Sequence, residues 1–118
     1  MTPQAMATEI EAWFGAHDRG GLELPSGWFG RPYDNFMRLS WIRSTGPDLV
    51  LRLDDLHELT LRSPARVDSK PDRLTVTGFV QGEWVWREYV SGRPRAEPLQ
   101  TGAVTIWAAP GSRDIPDR

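Results

Sequence analysis

Apolar residues in the N-terminal segment recur every three or four positions. Met6, Ile10, Trp13 and Phe14, joined by Ala5 and His17, fall on one side of a helical wheel, while Glu9, Glu11 and Asp18 face water. Thr2-Pro3 supplies an N-cap followed by proline at the first helical position, where a missing amide hydrogen costs nothing. Gly20-Gly21 supplies a stop. The spacing predicts a helix over about residues 3–16. From Gly20 to Asn35, glycine and proline break up any regular period, so a structured loop is expected over residues 20–35. Its two large aromatics, Trp28 and Phe29, argue that this loop is ordered by its own side chains.

After Asn35 the period changes to two. Met37, Leu39 and Trp41 alternate with Arg38 and Ser40, with Ile42 as an apolar exception. Leu49, Leu51 and Leu53 make a returning strand after the turn Thr45-Gly46-Pro47-Asp48, and Asp54-Asp55 interrupts the pattern before Leu59 and Leu61. Further alternation covers Arg73 to Val80, where Gly78 marks a bulge or bend, then Glu83 to Val90, and finally Gly102 to Ala109. Ser91 to Pro98 reads as too polar and proline-rich for regular structure. About six short strands without intervening helices predict an antiparallel meander, a small barrel or a curved sheet, with the N-terminal helix packed on it. The fold class is α+β, mostly β. One domain is expected over residues 1–118, with its sheet over 36–109 and a frayed tail over 110–118.

Composition narrows the chemistry. The 118 residues are 39% hydrophobic and 25% charged, a globular balance rather than a disordered one. Cysteine is absent, which removes disulfides, thiolate zinc sites and cysteine nucleophiles. No stretch has the roughly 20 apolar residues of a membrane span, and the N-terminus lacks the charged and apolar regions of a secretory signal, so a cytoplasmic location without membrane contact is expected. A net charge of -2 supplies no field for phosphate backbones, which argues against nucleic acid as a partner.

Candidate catalytic groups are few. His57 stands beside Asp54, Asp55 and Glu58, a set that would suit a general base with its acid, or part of a metal site. Neighbouring strand residues point to opposite faces, however, and Asp54-Asp55 has the chemistry of an ordinary turn. No nucleophile elbow, metalloprotease motif, phosphate loop or dinucleotide fingerprint occurs, so no catalytic residue, metal or cofactor is expected and the chain leans away from enzymes.

The unusual feature is six tryptophans. Trp84, Trp86 and Trp107 either fill a small core or, with Arg87, line a binding surface. The segment Gly27-Trp28-Phe29-Gly30-Arg31-Pro32-Tyr33-Asp34-Asn35 reads as a rigid loop presenting Arg31 and Tyr33. Together with the strands from Phe36 to Leu53 and with Trp84, Trp86 and Tyr89, it resembles a group of small uncharacterised bacterial proteins over roughly residues 20 to 90. That resemblance implies a bacterial origin and carries over no catalytic or ligand assignment. The expected binding residues are Trp28, Arg31, Tyr33, Asp34, Asn35, Trp84, Trp86 and Arg87. They belong to a non-catalytic module that contacts another protein, as an adaptor or immunity-type inhibitor would, or alternatively to a small β-barrel that holds an apolar small molecule and has room for weak enzymatic chemistry in its mouth.

Overall fold

Met6, Ile10, Trp13 and Phe14 form the buried stripe of helix α1 (Pro3–His17) in a computed structural model that describes residues 1–30, 35–88 and 90–109. Thr2 caps the helix, its Oγ1 accepting the Ala5 N–H at 3.0 Å. The stop is not the glycine pair but Asp18, which adopts a left-handed φ of 70° and donates its N–H to Phe14 O at 2.8 Å. No helix among the described residues is long and apolar enough to cross a membrane.

Gly20 and Gly21 instead open β1 (Gly20–Leu24), so the loop expected over residues 20–35 begins as a strand. Its main partner is β11 (Gly102–Ala108), with Gly21 opposite Trp107, and it also pairs with the two-residue strands β2 (Gly27–Trp28) and β3 (Phe36–Met37). Crowding explains the glycines. A Cβ on Gly20 would collide with Ile106 Cγ2 and press on the Phe14 ring.

The other strands are β4 (Leu39–Thr45), β5 (Asp48–Leu53), β6 (His57–Arg62), β7 (Arg66–Ser69), β8 (Arg73–Phe79), β9 (Gln81–Arg87) and β10 (Pro94–Leu99). They form two antiparallel sheets rather than one meander of six strands. The first runs β2-β1-β11-β8-β7, with β3 also on β1; the second runs β10-β9-β6-β5-β4. Neither closes into a barrel. The division occurs where β8 leads into β9 through Val80 alone, a residue whose N–H is donated to Arg62 O, so the chain leaves one sheet and joins the other. The architecture is a mostly-β α+β fold, as the alternation predicts.

Both sheets contribute to one core. Leu49, Leu51, Leu53, Leu59, Leu61 and Trp84 enter from the second sheet, and Leu22, Leu24, Leu74, Val76, Val104 and Ile106 from the first. Each such side chain contributes about 1.5–3 kcal/mol when fully buried. Helix α1 packs against β4 and β7, an edge strand of each sheet, and Trp13 Nε1 donates to Lys70 O at 2.9 Å.

Two irregularities adjust the alternation. In β4, Leu39 lies opposite Leu53 but Trp41 opposite Arg52, so Ser40 is an extra residue and the face reverses after it. Ile42 consequently packs against the core, while Trp41 lies beneath the Arg43 guanidinium, 4.2 Å from its ring centroid. The apolar exception at Ile42 is thus a bulge in disguise. In β8, Gly78 is the bulge residue between Thr77, opposite Ala103, and Phe79, opposite Gly102. β10 (Pro94–Leu99), most of which falls in the Ser91 to Pro98 segment expected to be irregular, is an edge strand paired among the described residues with β9 alone. Prolines are tolerated there because an edge leaves half its amides outside the ladder.

Candidate functional site

At one end of the second sheet, described residues of the turn between β5 and β6, residues at and just beyond the end of β9, and Phe29 with Asn35 line an open cleft of about 810 Å³. Asp54 and Leu56 come from the first turn, His57 from the start of β6, Trp86 and Arg87 from the end of β9, Glu88 and Gly92 from the residues beyond it, and Phe29 and Asn35 from the segment after β2. Strand parity places the two central groups. His57 shares the inward face with Leu59 and Leu61, and Trp86 shares it with Trp84 and Gly82, so the leucines, Trp84 and Gly82 are buried while the last residue of each row reaches the cleft.

Phe29 connects the rings. Its N–H is donated to Leu22 O at 2.9 Å, and its ring makes T-shaped contacts with Trp84 at 4.9 Å, Trp86 at 5.6 Å and His57 at 6.0 Å between centroids. Edge-to-face contact sets the positive rim of one ring against the negative face of another. Asn35 Nδ2 donates to Phe29 O at 3.2 Å, and its amide occupies the space that a Cβ on Gly30 would take. Gly30 also has a φ of 69°, so glycine is required there twice over.

His57 Nδ1 accepts the Arg87 backbone N–H at 3.1 Å. An accepting Nδ1 carries no proton, so the neutral ring holds its hydrogen on Nε2. Burial holds the imidazole below its ordinary pKa; Asp54 opposes this shift and Arg52 adds to it. Among the described residues Asp54 is occupied on one side only. Its Oδ1 accepts the Arg38 N–H and its own N–H is donated to Arg38 O, both at 2.9 Å, which ties the turn to the start of β4. Asp54 and Asp55 both have left-handed φ values, 53° and 54°, and Asp55 N–H is held by Ser40 Oγ at 2.7 Å. Across the cleft, the Ser91 hydroxyl and then Arg95 hold the Glu88 carboxyl below its usual range. Arg87 Nη1 donates to Gly92 O at 3.0 Å.

The structure divides the residues expected from sequence. Asn35, Trp86 and Arg87 line the cleft, and Trp84 lies beneath it, fully buried, its Nε1 without an acceptor among the described residues. Trp28 is elsewhere. It stands 40% exposed on the outer face of the first sheet, 6.1 Å from Trp107, whose Nε1 donates to Glu23 Oε1 at 2.9 Å. Arg31, Tyr33 and Asp34 lie outside the described residues. Asp54 and His57, which the turn reading sets aside, do meet in the cleft, whereas Glu58 turns outward to Arg52 at 3.0 Å, as its parity requires. Phe29, Leu56, Glu88 and Gly92 are not among the binding residues expected from sequence. The parity of His57 with Leu59 and Leu61 was the available signal. Among the described residues no three His, Asp or Glu side chains come together as a metal set.

No family model, curated protein or solved structure shows significant similarity to the chain.

Proposed function

We propose that the chain is a non-catalytic binding module whose cleft receives one compact, ring-bearing small molecule. The observation that carries this reading is the meeting of Phe29, His57 and Trp86 at a concave end of the sheet, with a few polar groups beside them. Apolar walls with sparse, convergent polar groups are the usual make-up of small-molecule sites. Acid–base chemistry fits less well. A histidine oriented by a carboxylate donates from Nδ1, but here Nδ1 accepts from the backbone and Asp54 holds the Arg38 amide, so Nε2–H is a donor and not a base.

Titration with a panel of single-ring compounds, followed by tryptophan emission, tests the reading. A saturable change is expected, weakened about tenfold or more in Trp86→Ala, since stacking and burial on one indole contribute on the order of 1–3 kcal/mol. Emission that stays flat across the panel at millimolar ligand would refute it.

A second reading is favoured by a separate observation. On the outer face of the first sheet, Trp28, Phe36 and Trp107 surround Gly21, and the Arg73 guanidinium lies 5.3 Å from the Trp107 ring centroid. Exposed tryptophan with arginine is the composition of protein-contact hot spots, so this face suits an adaptor or an inhibitor. Trp28→Ala should then abolish capture of a partner while leaving ligand titration at the cleft unchanged.

A further inference from the structure

The charges around the cleft are unequally spent. Glu88 is saturated: its Oε1 accepts from the Ser91 hydroxyl, and its Oε2 accepts from Arg95 Nε and Nη2. Arg52 is turned away to Glu58 and to Asp55 O. Among the described lining residues Arg87 is the cationic one, and one of its nitrogens is held by Gly92 O. Asp54, by contrast, uses Oδ1 for the Arg38 amide and leaves Oδ2 without a partner among the described residues. With Glu88 paired to Arg95, the open charges among the described lining residues are one Asp54 oxygen and the part of the Arg87 guanidinium that Gly92 does not hold.

The rings break that balance. Phe29 and Trp86, both in the lining, meet at 65°, and aromatic faces attract cations and repel anions. Burial keeps the His57 imidazole uncharged at neutral pH, so it adds no opposing positive charge. An anionic ligand would face both the Asp54 carboxylate and the ring faces.

From this juxtaposition of Phe29, Trp86 and the half-used Asp54 carboxylate, we infer that the cleft selects an organic cation, an ammonium group borne on or beside an aromatic ring. The inference rests on the small-molecule reading above and narrows it to one ligand class.

Benzyltrimethylammonium, benzyl alcohol and phenylacetate share one ring and differ in charge, so they separate the two ideas. Each is titrated into the wild-type protein and into Asp54→Asn, with tryptophan emission and amide chemical shifts as readouts. Asparagine keeps an oxygen for the Arg38 amide and tolerates a left-handed φ, so the fold of this variant is preserved. The cation is expected to bind about fivefold tighter than the alcohol, with phenylacetate weakest, and Asp54→Asn should weaken the cation alone, by about threefold. If the alcohol binds as tightly as the cation, or Asp54→Asn leaves the order unchanged, the cation inference fails while the binding reading stands. If none of the three binds, both fall.

Discussion

His57 has one nitrogen committed to the Arg87 amide, and protonating that nitrogen would set donor against donor. Its folded pKa lies below the ordinary 6.5 because burial penalises the cation, with Asp54 opposing and Arg52 reinforcing the shift. Between the lowered folded value and 6.5 the unfolded chain binds more protons than the folded one, so stability rises with pH across that window. The His57 contribution is present in full above pH 6.5 and is lost as pH falls through the folded value. Urea midpoints measured from pH 8 down to pH 5 should show this decline, and His57→Asn should flatten it, because the asparagine oxygen accepts the same amide without titrating. A second residue-scale outcome concerns Gly20. Alanine there overpacks Ile106 and Phe14, and urea denaturation should register a loss of about 1–3 kcal/mol.

At the scale of the element, α1 bridges an edge strand of each sheet, so its apolar stripe holds more than a helix. Ile10→Ala, at a fully buried position, should cost about 2–5 kcal/mol in thermal or urea unfolding. Elements whose own period is regular were legible in sequence: α1 from its three-four spacing, and β5, β6, β9 and β11 from alternation. Others were hidden for physical reasons. β1 carries two glycines because other side chains fill their space, so the residues that make it a strand lie in β11 and α1. β10 is proline-rich because it is an edge, and the Ser40 bulge in β4 exchanges the faces of Trp41 and Ile42. The cleft was half legible for the same reason. Trp86, Arg87 and Asn35 stood out as residue types, whereas His57 and Asp54 are brought to them by a register that no local pattern encodes.

For the whole molecule, two open sheets mean exposed edges, and β10 is blunted by Pro94 and Pro98, each of which removes an amide from an edge strand. Replacing both with threonine should raise self-association, seen as a larger mass in light scattering, with unfolding midpoints little changed. The ladder between β1 and β11 carries a consequence in time. β4, β5 and β6 follow one another as hairpins and can pair as soon as they are made, but β1 has to wait for a strand at the far end of the described chain. Contacts so distant in sequence slow folding because the loop between them must close first. During synthesis the second sheet can therefore assemble while β1 and β8 still lack the strand that lies between them, and the nascent chain passes through a stage in which Leu22 and Val76 have no Val104 or Ile106 beside them. That interval, rather than any weakness of the finished fold, is when this protein is most exposed to aggregation.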